Sequence, residues 1–138
     1  MTLEKLSSYY DLKLLIDVLK NELYELRAKA YKVKAVSYER YGDSSPKGTV
    51  SDKTSGYASS IAEKEHEISE LYEEAEQKRA EIFDYILFTV AKEDVLTASV
   101  MYWRFIGCLE WFKVGQKTNM SDDGARKICT RYLKSHKE

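Results

Sequence analysis

At 138 residues, 43% hydrophobic and 33% charged with a formal net charge of −1, the chain has the balance of a folded protein rather than a disordered charged tail. Its longest apolar run, near Ile86 to Ala91, is too short to span a bilayer, and the opening MTLEKLSSYY lacks the apolar segment of a secretory signal. A reduced, cytoplasmic setting is therefore expected for the two cysteines, Cys108 and Cys129. Charge is spread unevenly: residues 57–92 hold four Lys/Arg against nine Asp/Glu, whereas residues 1–56 and 93–138 are mildly basic.

Residues 3–40 read as a first helix. Leu12, Ile16, Leu19, Leu23, Leu26, Ala30 and Val33 step by four and three, which is a heptad seam, and Leu3, Leu6 and Tyr10 carry a similar rhythm ahead of it. A rod of roughly 55 Å at 1.5 Å per residue cannot bury its own stripe, so it requires a partner helix in the same chain or in another. Tyr41-Gly42 is the expected end of the helix, and residues 42–56, GDSSPKGTVSDKTSG, read as a polar loop around the single proline, Pro46.

The second helix is expected from about Tyr57 to Ala91, with Ile61, Glu65, Ile68, Tyr72, Ala75, Arg79, Ile82 and Ile86 as its seam. Glu65 and Arg79 make this seam weaker than the first. Glu63, Glu67, Glu70, Glu73, Glu74 and Glu76 form an acidic surface, and the second half of the first helix is basic at Arg27, Lys29, Lys32, Lys34 and Arg40. The two helices can fold back antiparallel, with flanking pairs each contributing roughly 0.3–0.5 kcal/mol. The tyrosines of the first helix, such as Tyr9 and Tyr24, fit packing better than a base-stacking platform.

Lys92-Glu93-Asp94 can open a third helix, whose residues from Val95 to Ile106 are apolar nearly all round and therefore suited to a small core, with Gly107 as its stop. Leu109 to Thr118 reads as a further helix, with Trp111, Val114 and Gly115 on its inner face. Asn119 tolerates a left-handed turn, Met120 plugs the corner, and Ser121 caps a last helix with Asp122-Asp123 in its first turn. Ala125, Ile128, Cys129 and Tyr132 share one face of that helix. The candidate DNA-binding residues are Ser121, Asp122, Arg126, Lys127, Thr130, Arg131 and Lys134, the residue types that read base edges and hold phosphates.

This outline is that of a helix-turn-helix. The fold expected is all-α: a long antiparallel helical hairpin, or coiled-coil arm, over residues 1–91 with its loop at 42–56, followed by a small helix-turn-helix head over residues 92–138. The run from Trp111 to Ser121, W-x-x-V-G-x-x-x-N-M-S, resembles region 4 of bacterial sigma-70-type factors, and MYWRFIGCLEW is similar to the helix and link that precede that motif. With the polar loop Pro46 to Thr54 and its helical layout, the chain looks like small phage transcriptional regulators of the RinA/ArpU type. That resemblance implies activation of late phage genes or another switch of phage transcription, with double-stranded DNA and RNA polymerase as partners. Departures from the pattern are Asn119 in place of a turn glycine, Thr118 where leucine is common, and the acidic, flexible start Asp122-Asp123-Gly124.

A homodimer through the arm is expected, since paired half-sites match a two-fold protein. Two other readings stay open: a DNA-packaging accessory of the small-terminase kind, and a helical protein that binds only protein. Cys108, Cys129, His136 and the isolated His66 lack zinc-ligand spacing, and no nucleophile, phosphate-cradling or paired-carboxylate set stands out. No metal, cofactor or enzymatic activity is expected.

Overall fold

The computed structural model describes residues 1–39 and 47–136, and the side chains of residues 1–33 and 56–136. It is all-helical, with no strand among the described residues. The helices are α1 (Leu3–Glu39), α2 (Lys47–Tyr85), the single turn α3 (Ala91–Glu93), α4 (Val95–Met101), α5 (Trp111–Thr118) and α6 (Asp122–Ser135). Two π-helical turns, Ile86–Val90 and Tyr102–Ile106, extend α2 and α4. None of the helices is long and apolar enough to cross a membrane.

Helix α2 starts ten residues earlier than its hydrophobic pattern suggests. Residues 47–56, expected in the loop, are helical, because Ser and Thr only weaken a helix and no proline interrupts this stretch. The expected helix end at Tyr41-Gly42 and loop residues 42–46 lie outside the described residues.

The chain divides into two compact units, Leu14–Tyr72 and Met1–Lys13 with Glu73–Glu138. In the first, the α1 seam is as the heptads require: Ile16 and Leu23 are buried, and Leu19, Leu26, Ala30 and Val33 are half-buried. The α2 seam keeps Ile61 and Ile68 as expected, but the position between them and the next one after them shift by one residue. Glu65 and Tyr72 are exposed, and Lys64 and Leu71 take the inner positions beside Ile61 and the buried Ile68. Burial favours leucine over a tyrosine hydroxyl, and a lysine stem over a carboxylate that would lose its water. Glu65 instead receives Arg27 at 2.7 Å, Lys64 reaches Glu22 at 2.6 Å, and the Lys20 ammonium lies 4.7 Å over the Tyr72 ring.

The second unit has its own core. Leu6 and Tyr9 of α1 are buried, whereas Leu3 and Tyr10 are exposed, so the rhythm of the seam ahead of Leu12 runs through Tyr9 and not Tyr10. Ala75, Ile82, Ile86 and Val90 supply the α2 side. The step of four from Ile82 through Ile86 to Val90 matches the wider π turn, which keeps these side chains on one face.

Asp94 leaves the helical conformation and caps α4, accepting from the Leu96 and Thr97 amides at 3.0 and 3.4 Å and from the Thr97 hydroxyl at 2.7 Å. The third helix therefore opens at Val95, and Lys92 and Glu93 belong to the turn before it. Helix α4 is not apolar-buried all round: Ala98, Val100 and Met101 are buried with Thr97, but Val95 and Leu96 are exposed in its first turn.

Gly107 remains in the right-handed region, and the left-handed residue that stops the chain is Cys108, at φ 55°. The Gly107 position is nonetheless tight, since a Cβ there would lie 2.8 Å from the Trp103 carbonyl oxygen.

Candidate functional site

Helices α5 and α6 meet across a three-residue connection, Asn119 to Ser121, and α4 packs against both. Helix α5 begins at Trp111 and not at Leu109. The Leu109 carbonyl instead accepts from the Arg104 guanidinium at 2.9 Å, and Glu110 is the extended residue before the first turn. Val114 and Gly115 are fully inside, while Trp111 and Met120 are half-buried.

Three residues set the geometry of the connection. Asn119 adopts the left-handed conformation (φ 57°, ψ 45°), which an asparagine tolerates better than most side chains. The Gly115 carbonyl accepts from the Asn119 amide and, at 2.9 Å, from Met120, closing α5. Ser121 is extended, and its hydroxyl accepts from the Gly124 amide at 3.0 Å, opening α6. The backbone after the turn passes so close to Gly115 that a Cβ there would stand 2.5 Å from the Met120 carbonyl oxygen and 3.2 Å from the Asp122 nitrogen.

On α6, Ala125, Cys129 and Tyr132 form the buried stripe, with Ile128 only half-buried at its margin. All seven candidate residues, Ser121, Asp122, Arg126, Lys127, Thr130, Arg131 and Lys134, are exposed. Apart from the cap they fall on two neighbouring rows with four-residue steps, Asp122–Arg126–Thr130–Lys134 and Asp123–Lys127–Arg131, which share the outer side of the helix.

The members of these rows are not equivalent. Asp123 holds Lys127 at 3.0 Å, and the Asp122 carboxylate accepts from the Asp123 amide at 2.8 Å. The Thr130 hydroxyl donates to the Arg126 carbonyl at 2.9 Å. Among the described residues, Arg126, Arg131 and Lys134 have no carboxylate partner.

Two features lay beyond sequence reasoning. The first is an aromatic–cation cluster: the guanidinium groups of Arg104 and Arg126 lie 4.8 and 6.0 Å from the centre of the Trp111 ring, and the Lys117 ammonium lies 5.2 Å over Trp103. Trp111 reads as a core residue in the sequence, and only its half-exposure in the fold makes it a surface for arginine. The second is a clamp at the far end of α6. The Tyr132 hydroxyl donates to Glu93 at 2.9 Å, the His136 ring approaches the same carboxylate oxygen at 2.6 Å, and the two rings stack 4.0 Å apart. Burial, followed by the Glu93 hydrogen bond, pushes the Tyr132 phenol well above its ordinary value.

Burial also raises the Cys129 thiol to about 11 and shifts Cys108 upward, which keeps both as neutral thiols near neutral pH. No group of three His, Cys, Asp or Glu side chains among the described residues could hold a metal ion. Comparisons with protein-family models, curated proteins and solved structures found no match to this chain.

Proposed function

We propose that α5, the Asn119 turn and α6 form a helix-turn-helix that binds double-stranded DNA, and that the chain is a phage or prophage transcription regulator acting as a late-gene activator. Helix α6 enters the major groove. Ser121, Arg126, Lys127, Thr130, Arg131 and Lys134 contact bases and phosphates, and Asp122 accepts from a base. The observation that carries this reading is the combination of a glycine-tight crossing at Gly115 with an outward α6 face bearing four cations. Exposed Lys113 and Lys117 add phosphate-binding capacity on α5.

The α1 and α2 stretches of the first unit serve as an antiparallel hairpin arm, an arrangement supported by the ion pairs Arg27–Glu65 and Glu22–Lys64. The arm joins two copies into a cytoplasmic homodimer that faces paired half-sites, and the head touches RNA polymerase while on DNA. The role is that of a binding protein, with no enzymatic activity.

A second reading is favoured by the acidic start of α6, where Asp122 and Asp123 oppose phosphate and Asp123 occupies Lys127. On that reading the chain is a small-terminase-like DNA-packaging accessory or a purely protein-binding one.

Selection from a pool of random duplexes separates these readings. A regulator enriches a defined, two-fold related sequence; a packaging accessory retains duplexes without a sharp sequence; a protein-binding module retains none. Sedimentation at micromolar concentration tests the dimer, which a monomer would contradict.

A further inference from the structure

We propose that Arg126 is the residue of α6 that sets base specificity, reading a guanine, and that Trp111 positions it; this rests on the DNA-binding reading above. Direct readout by arginine requires a guanidinium whose plane is fixed, because its two parallel N–H bonds must meet O6 and N7 of guanine together. Arg126 has such a support. Its guanidinium lies 6.0 Å from the centre of the Trp111 ring, over its face. That ring is itself held, since the Arg104 guanidinium lies 4.8 Å from the same ring and donates to the Leu109 carbonyl two residues before it. The chain of contacts runs from the backbone at Leu109 through Arg104 and Trp111 to Arg126.

The other candidates on α6 lack this arrangement. Lys127 is drawn to Asp123, and Lys134 offers a point charge without a plane. The Thr130 hydroxyl donates to the Arg126 carbonyl. Arg131 lies more than a turn further along, whereas a groove helix places its N-terminal residues against base edges. Arg131 and Lys134 therefore hold phosphates, which fixes register without reading sequence. Asp122, one turn before Arg126 on the same row, reinforces this division: its carboxylate turns phosphate away from the start of the row and leaves base edges as the partner there.

The test uses the full chain and the duplex recovered by selection. Each guanine of the duplex is replaced in turn by adenine, and binding is measured for wild type, Arg126→Lys, Arg131→Ala and Trp111→Leu. For wild type, one guanine per half-site costs roughly ten-fold or more in affinity when replaced. Arg126→Lys keeps the charge and binds all the duplexes within about two-fold of one another, because lysine lacks the bidentate fork. Arg131→Ala binds every duplex more weakly but keeps the full penalty at that guanine. Trp111→Leu weakens the penalty, and Trp111→Phe, which retains an aromatic face, restores most of it; circular dichroism confirms that each variant is helical. The assignment is overturned if Arg126→Lys keeps the guanine penalty, or if Arg131→Ala is the variant that loses it. Failure of wild type to bind any duplex would instead remove the DNA-binding reading itself.

Discussion

Gly115 and Met120 are in backbone contact: a Cβ added to Gly115 would lie 2.5 Å from the Met120 carbonyl oxygen, closer than real Cβ atoms approach backbone. The atom in the way is main chain, held by the closure of α5, so it cannot swing aside as a side chain would. Gly115→Ala is expected to cost about 1–3 kcal/mol, the usual range for overpacking, and to lower the melting temperature measured by circular dichroism. Asn119→Gly is expected to be near neutral. Asn119→Val is expected to cost about 1–2 kcal/mol, since a branched side chain suits a φ of 57° poorly.

The Asp94 cap gives a prediction with a pH dependence. The Thr97 hydroxyl, followed by the backbone amides of Thr97 and Leu96, holds its carboxyl below the ordinary value despite an opposing effect of burial. A carboxyl depressed in the folded state stabilises the fold above its unfolded pKa, and that contribution is lost as pH falls through the folded one. Asp94→Ala should cost about 1 kcal/mol at pH 7. Urea titrations of the variant and wild type should converge as the pH is lowered past the ordinary carboxyl range.

Alkaline pH should destabilise the protein by a separate route. Cys129 is raised from 9.0 to about 11 and Tyr132 is raised as well, both chiefly by burial. Groups raised in the folded state contribute fully below their unfolded values and lose that contribution as pH rises through the folded ones. For Cys129 the window is from about 9 to about 11. Cys129→Ser should flatten the stability profile across it. At pH 8 in native protein, Cys129 should react with a thiol reagent only on unfolding, which mass spectrometry of the labelled peptides can follow.

In the first unit, packing should matter more than the visible ion pairs. The side chains of Arg27 and Glu65 are 58% and 52% exposed, so their pair is screened by water. A double-mutant cycle on it should return about 0.2–1 kcal/mol. Leu23→Ala or Ile68→Ala, each opening a cavity at a buried seam position, should cost about 2–5 kcal/mol in a denaturant titration.

Tyr132→Phe removes the hydrogen bond to Glu93 while keeping the ring against His136. The cost should be about 1 kcal/mol. Amide exchange should show the loss at the C-terminal end of α6 and not at its Ser121 cap.

What the sequence disclosed and what it hid divide along physical lines. Gly115, Asn119 and Ser121 are legible because each answers a local backbone demand: a close approach, a left-handed residue, an orphan amide. The α1 seam is legible because seven apolar positions keep one period. The α2 seam is legible at Ile61, Ile68, Ala75, Ile82 and Ile86 but not at Tyr72, because Leu71 and Tyr72 are both large and mostly apolar, and only three-dimensional burial decides which one turns inward. The helical state of residues 47–56 is hidden for a similar reason, since Gly, Ser and Thr weaken a helix without forbidding it. The Trp111 cluster is a tertiary event: nothing in the spacing of residues 104, 111 and 126 announces that two guanidinium groups share one ring. The stop at Cys108 instead of Gly107 shows the limit of residue preference, as the glycine is used for its lack of a Cβ beside Trp103 and the cysteine takes the turn.

The claim that α6 binds DNA is tested most directly by fluorescence anisotropy of a labelled duplex over a series of salt concentrations, comparing wild type with the Arg126→Ala/Arg131→Ala double variant. Wild-type affinity is expected to fall steeply and linearly on logarithmic axes as salt rises, and the double variant is expected to bind more weakly with a slope reduced by about one, since Arg131 gives up a phosphate contact and its released counterion whereas Arg126 gives up a base contact. A double variant that binds with the same affinity and the same slope as wild type would contradict the claim.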